Sequence, residues 1–293
     1  MRESTSPHRR RLTATLLALS LCTTPALAAC AAGSDSGVGG VASEKNGKEP
    51  EQLKVEILAE HPWDKTSFTQ GLEVVEDGKL LVGTGMKGKS RIYHTTIDDQ
   101  QTNNEDLAGA YFGEGVTRHV GPDGRAHVWQ LSWQENTAFL RDATSLKKIS
   151  TETYEGEGWG LCSDGNRLVM SDGSGTLSFR DPATFAKTGS VDVTLNGEPT
   201  DMLNELDCDP TGGPDDSPAV RANVWQTDDI YRIDPSTGEV TGVVDAKNAF
   251  GAADKPGADV LNGIAKIPGT DKFYVTGKYW DTLYEVRFIP ANA

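Results

Sequence analysis

Three features of the 293-residue chain predict an all-β fold. Five short phrases, "FTQGL" (68–72), "FGEGV" (112–116), "GWGLC" (158–162), "LNELD" (203–207) and "LNGIA" (261–265), recur at roughly 45-residue spacing, the last interval being lengthened by the insertion "DPTGGPDDSPAV". Between them run short apolar stretches separated by turn sequences such as "EDG", "GPDG", "SDG" and "PGTD", the punctuation of strands joined by tight turns. Almost no segment carries the apolar period of a helix. Four short strands in a unit of this size make one blade of a β-propeller, so five units predict five blades around a common axis.

Residues 1–29 precede the fold. Arg9, Arg10 and Arg11 form a basic n-region, "LTATLLALSL" is an apolar stretch too short to span a bilayer, and "LAAC" (27–30) closes it. That small-residue run resembles a bacterial lipobox, which implies cleavage before Cys30 and lipid on its thiol; ordinary signal cleavage with Cys30 incidental is the plainer alternative. Lipid contributes about 0.8 kcal/mol per buried methylene. The expectation is therefore an extracytoplasmic protein that meets the bacterial cell membrane only through its anchor. Residues 30–52, with "AAGSDSGVGGVASEKNGKEPEQ" after the cysteine, bury almost nothing and read as a flexible tether, leaving 53–293 for the propeller. The formal net charge is −15 and the leader is basic, so the remainder is more acidic still. Such a surface repels phosphates and excludes nucleic acid as a partner.

The strand "LKVEILAE" (53–60) stands before the first phrase as a spare. Each phrase then opens a unit as its inner strand. A second strand follows ("KLLVGTG", "AHVWQLS", "RLVMSDG", "RANVWQT", "KFYVTGK") and a third ("SRIYHTTI", "NTAFLRD", "GTLSFRD", "DIYRIDP", "DTLYEVRF"). Fourth strands are legible in three units, "KKISTETY", "AKTGSVDV" and "GEVTGVVD". The last unit ends without one, and the spare N-terminal strand is expected to complete it, closing the ring and removing an open sheet edge. A closed ring needs no partner, so a monomer is expected.

Inner strands crowd the axis, where a Cβ would collide, and this accounts for the repeated glycines. Packing does not ask for the polar residues beside them. Gln70, Glu114, Asn204, Glu205 and Asn262 are expected to converge near one mouth of the axis, with Phe68, Phe112, Trp133, Trp159 and Trp225 around them. Trp63 and Trp129 read as core and Trp280 as intermediate. Cys162 and Cys208 lie three residues beyond equivalent positions of their phrases, on neighbouring units. An exported protein is permitted a disulfide here, but two buried free thiols stay open, because the bond needs Cα atoms within about 7 Å.

The motifs "FTQGL", "FGEG", "WQLSW", "GWGL", "SDGS", "LNELD", "ANVWQT", "VLNGIA" and "VTGKYW" stand in the order and approximate spacing of the plant and bacterial glutaminyl-peptide cyclotransferases (glutaminyl cyclases). The resemblance covers about residues 54–289 and draws on all five units. Two departures are the acidic insertion at 209–219, assigned to a blade edge, and Asp207, where a longer acid is usual. The resemblance implies a five-bladed propeller and an acyltransferase reaction. The α-amine of an N-terminal glutamine, on a peptide or an exported protein, attacks its own carboxamide to give 5-oxoproline and ammonia.

That chemistry assigns roles. The amine has a pKa near 8 and ammonia leaves poorly unless protonated, so one group must take a proton and return it. Glu114, among aromatic rings, is expected to have a raised pKa and to serve; the plain alternative is a structural carboxylate paired with Lys278. By family position, Lys278 and the amides of Gln70 and Asn204 are expected to face the oxygen that gains charge. The five rings form a narrow slot for the folded glutamine, with Glu205 and Asn262 on the substrate-binding side, although Glu205 could instead hold strand register. No cofactor is required and no catalytic metal is assigned; a structural divalent ion in the channel is left open. One rival is a calcium-dependent lactonase or esterase-like propeller using oxygens of Glu114, Asn204, Glu205 and Asn262. Another is a non-catalytic surface propeller that binds peptides. Zinc is disfavoured because His61, His94, His119 and His127 lie outside the phrases.

Overall fold

The computed structural model describes residues 49–293 apart from Pro122, so the leader and Cys30 lie outside the described residues. β1 (Glu51–Pro62) starts slightly before the expected end of the tether. β2 (Thr69–Val74), β3 (Leu80–Thr84), β4 (Arg91–Thr95) and β5 (Thr102–Asp106) form an antiparallel sheet in chain order. β6 (Gly113–Val120), β7 (Ala126–Ser132), β8 (Thr137–Asp142) and β9 (Lys148–Thr153) repeat it, as do β10 (Leu161–Ser163), β11 (Leu168–Met170), β12 (Thr176–Arg180) and β13 (Lys187–Asp192). A small hairpin, β14 (Thr194–Leu195) and β15 (Glu198–Pro199), precedes β16 (Leu203–Asp209), β17 (Ala219–Val224), β18 (Asp229–Ile233) and β19 (Val240–Asp245). β20 (Leu261–Lys266), β21 (Lys272–Gly277) and β22 (Thr282–Pro290) end the chain.

β1 pairs antiparallel with β22 from Leu53 opposite Pro290 to Pro62 opposite Thr282, so the N-terminal strand supplies the fourth strand that the last set lacks. Through Glu51–Lys54 it also runs parallel to β19, which merges two sets of four into one sheet ordered β16-β17-β18-β19-β1-β22-β21-β20. The rest is turns and three short 3₁₀ segments, and no helix among the described residues is long and apolar enough to cross a membrane. β5 is absent from the sequence reading. Its "TNNED" is polar throughout and mostly exposed, because an outermost strand has little core to face and carries no apolar alternation. The insertion at 209–219 runs from the end of β16 into β17.

The first strand of each set lies inside. β2 touches β6 and β20, β10 touches β6 and β16, and β16 touches β20. Apolar side chains fill the spaces between sheets, with Trp63 and Trp129 buried there as expected. Cys162 and Cys208 are joined in a disulfide between β10 and β16, with Cα atoms 5.4 Å apart.

Four of the inner strands share a feature that sequence did not disclose. Their pairing registers slip between Thr69 and Gly71, Gly113 and Val116, Leu203 and Leu206, and Leu261 and Ile264. The polar residues of the repeated phrase sit within these bulges, which re-aim side chains away from the ordinary strand alternation.

The glycines of the phrase are demanded by backbone contact. A Cβ on Gly160 would lie 2.1 Å from the carbonyl oxygen of Asn204, and one on Gly115 would lie 2.6 Å from the Leu161 nitrogen. Neither neighbour is a side-chain tip that could swing aside. Gly160→Ala is therefore expected to cost about 1–3 kcal/mol or more, read as a lower urea midpoint at unchanged slope. An unchanged midpoint would mean that the inner strands do not approach this closely.

Candidate active site

A cavity of about 290 Å³ opens where the bulges face one another. It is lined by Phe68, Gln70, Phe112, Glu114, Trp133, Trp159, Asn204, Trp225, Asp259 and Lys278. That volume sits at the small end of ligand pockets, matched to one compact side chain. Nine of the eleven residues assigned from sequence line it; Glu205 and Asn262 do not.

The walls are rings meeting edge to face. Phe68 and Phe112 lie 6.0 Å apart between centroids, Phe112 and Trp133 5.5 Å, and Trp159 and Trp225 5.5 Å. Close backbone packing sets this wall: a Cβ at Gly85 would strike the Phe112 ring at 2.3 Å, and one at Gly173 the Trp159 ring at 2.6 Å.

Glu114 is buried at 4% exposure, and a hydrogen-bond chain across three inner strands sets its orientation. Asn262 Nδ2 donates to the Thr69 carbonyl at 2.9 Å and to Gln70 Oε1 at 3.0 Å, and Gln70 Nε2 donates to Glu114 Oε1 at 3.0 Å. Because the Gln70 oxygen is engaged by Asn262, its nitrogen must face the carboxylate. Gln70, expected to donate to a substrate oxygen, lines the cavity and gives one N–H to Glu114, which it thereby orients. Asn262, expected to touch substrate, stands one step behind the cavity for the same reason.

Burial pushes the Glu114 carboxyl well above the usual carboxylate range; the Lys278 ammonium opposes this, the Glu157 and Glu135 carboxylates add to it, and the Gln70 hydrogen bond opposes it again. Lys278 is itself buried, which lowers its pKa against the pull of Glu114 and Asp259. Its Nζ lies 4.7 Å from the centroid of the Phe68 ring and forms no ion pair among the described residues. The Glu114–Lys278 pair foreseen as a structural alternative is therefore a longer-range attraction without direct contact. Asn204 Oδ1 is buried in the cavity wall and has no hydrogen-bond partner among the described residues.

Glu205 stands behind the cavity and takes the strand-register alternative. Its two oxygens accept the backbone N–H groups of Leu72 at 3.1 Å and Ile264 at 2.8 Å, tying β16 to β2 and β20. Glu73 does likewise for Arg118 N at 2.8 Å and Asp207 for Lys266 N at 2.9 Å. These carboxylates are braces between inner strands. No group of three or more His, Cys, Asp or Glu side chains is placed to hold a metal among the described residues. Trp280 is fully buried core, its Nε1 donating to the Asp259 carbonyl at 2.9 Å.

Sequence reading missed Asp259 and Glu157. Asp259 stands just before the fifth phrase and lines the cavity. Glu157 stands just before the third, and its Oε2 accepts both Trp133 Nε1 at 2.7 Å and Trp159 Nε1 at 2.9 Å. Position next to a phrase was the available signal for both.

The chain matches the glutamine cyclotransferase family over residues 23–288. It is 36% identical over 245 residues to the glutaminyl-peptide cyclotransferase of Arabidopsis thaliana, a match covering 82% of this chain and 73% of that protein. Among solved structures it is similar to the glutaminyl cyclase of Myxococcus xanthus, with a TM-score of 0.72 and 36% identity over 82% of this chain and 98% of that one.

Two buried acids one bulge apart in kind should separate on unfolding. Glu205→Ala strands two buried N–H groups and is expected to cost about 2–6 kcal/mol, at about 1–3 kcal/mol for each lost partner. Glu114→Gln faces the cavity and is expected to leave the urea midpoint unchanged or higher. Equal losses in both variants would contradict the division into brace and site residue.

Proposed function

The chain belongs to the glutamine cyclotransferase family, and from that premise we infer that it is an enzyme that cyclises the N-terminal glutamine of peptides to 5-oxoproline with release of ammonia. The observation that carries the mechanism is a buried carboxyl of raised pKa inside an aromatic cavity the size of one side chain, facing a buried lysine.

The glutamine side chain folds back on its own amine between the rings of Phe68, Phe112, Trp133, Trp159 and Trp225. Nucleophile and carbonyl already belong to one residue, so freezing its rotors supplies proximity. Asn204 Oδ1, buried without a partner among the described residues, accepts an N–H of the substrate. The amine nitrogen attacks the carboxamide carbon, a C–N bond forms, and the oxygen gains charge that Lys278 Nζ stabilises. Glu114, held by Gln70, takes the proton released from the amine and delivers it to the amide nitrogen. The bond to that nitrogen then breaks and ammonia leaves. Nothing in this sequence consumes water, and the aromatic wall keeps it out.

The same reading takes the strand sets as five blades, with β1 completing the last. Leucine-rich leader, small-residue run and Cys30 support a lipid-anchored protein outside the cytoplasmic membrane, and the Cys162–Cys208 disulfide fits that oxidising compartment. Its substrates are then exported proteins or peptides with N-terminal glutamine. A monomer without cofactor suffices for the steps above.

Ammonia release from glutamine-initiated peptides, followed with and without chelator, tests the reading. Release is expected to survive chelation and to fall by about 10²–10⁴ in Glu114→Gln. Loss on chelation would favour the calcium-dependent class, and no release from the unaltered chain would favour a peptide-binding propeller. The pH profile carries a sign. Glu114 must be ionised to accept a proton, so kcat/KM falls as pH drops through its raised pKa. Lys278→Met removes the cation that holds this value down, so the acid limb should move to higher pH while the rate drops by about 10²–10³. A limb moving the other way would place Lys278 elsewhere in the mechanism.

A further inference from the structure

We propose that Glu157 is a positioning residue of the cyclisation site, fastening the Trp133 and Trp159 indoles across the boundary between two sheets and presenting uncompensated negative charge to the proton carrier. The proposal rests on the cyclisation reading and adds a residue to it.

The ring wall has a break. Phe68, Phe112 and Trp133 meet edge to face as one run, and Trp159 and Trp225 as another, with no ring contact between Trp133 and Trp159 among the described residues. Trp133 follows β7 and Trp159 precedes β10, so the two belong to different sheets. Glu157 spans the break: Oε2 accepts both indole N–H groups, at 2.7 and 2.9 Å, while Oε1 accepts Gln134 Nε2 at 2.9 Å. A single oxygen shared by two indoles fixes their separation, and with it the width of the slot.

The charge follows from the same contacts. Burial works against ionisation of Glu157, but the hydrogen bonds from Gln134, Trp159 and Trp133 outweigh it and hold the carboxyl below its ordinary range. The charged or titratable groups facing Glu114 are Lys278 beyond β21, Glu135 between β7 and β8, Glu157 before β10 and the Tyr154 hydroxyl after β9, with neutral Gln70 on β2. Of the two carboxylates, Glu135 is paired with Lys87 at 2.7 Å. Glu157 has no cation partner among the described residues. Its charge therefore falls on Glu114 with less compensation, and favours the protonated form that the second half of the reaction needs.

Glu157→Gln and Glu157→Ala in the full chain separate the two roles. Glutamine keeps an oxygen for the indoles but carries no charge. For Glu157→Gln, KM for a glutamine-initiated dipeptide should stay within about twofold, while the acid limb of kcat/KM moves to lower pH. Glu157→Ala should move the limb in the same direction, raise KM about tenfold, and make tryptophan emission more accessible to acrylamide. A Glu157→Gln profile superimposed on that of the unaltered chain overturns the electrostatic part. A Glu157→Ala variant with unchanged KM and unchanged quenching overturns the positioning part. If the unaltered chain releases no ammonia, the cyclisation reading fails on its own, and the quenching comparison still decides whether Glu157 holds the indoles.

Discussion

The inner strands approach one another so closely that backbone meets backbone, and the remaining architecture follows from this crowding. Gly115 N donates to the Trp159 carbonyl at 2.8 Å between neighbouring sheets, a contact that a Cβ on Gly115, 2.7 Å from that same oxygen, would prevent. Strands packed this tightly cannot keep regular pairing along their whole length. Four of them relieve the strain of convergence with a bulge at the same point of the phrase, and each bulge turns a polar side chain toward the middle. The chemistry is thus a by-product of the geometry that closes the fold.

Burying that many polar groups has a cost, and the molecule meets it in two ways. Glu73, Glu205 and Asp207 accept backbone N–H groups from adjacent inner strands, so carboxylates substitute for ladder bonds where sheets diverge. Even so, burial raises Glu73 to about 7 and Asp207 to about 6. Glu114 has no backbone donor among the described residues. It keeps a single amide donor from Gln70 and a lysine beyond contact distance, which leaves its proton affinity high and one face of its carboxyl open to the cavity. Site and brace are built from the same residue type in the same environment, and differ in whether a neighbouring strand presents an N–H to satisfy them.

That difference explains what sequence could and could not disclose. Strands, turns and the closing role of β1 were legible because alternation and the repeated phrase are strong local signals. β5 was not, since "TNNED" on an outer edge has no core to face. The aromatic wall was legible because large rings recur at equivalent positions of the units. Asn204 and Glu205, by contrast, are adjacent letters in one phrase, yet the bulge sends the first into the cavity and the second into the strand interface; no composition rule distinguishes them. Gln70 was read as an oxygen-facing donor because its dependence on Asn262, 192 residues away, is a contact that only the assembled sheets create. Glu157 and Asp259 sat in connecting segments, where an acidic residue ordinarily means a solvated turn.

The family assignment fixes the reaction, and the physical claim beneath it is narrower: the fold must hold one carboxyl of raised proton affinity in the aromatic cavity. Infrared difference spectra of the unaltered chain against Glu114→Gln, recorded across a pH titration, isolate that carboxyl. The account predicts that the Glu114 band persists in its protonated form well past the ordinary glutamate pKa of about 4.3. A band that vanishes in the ordinary carboxylate range would contradict it.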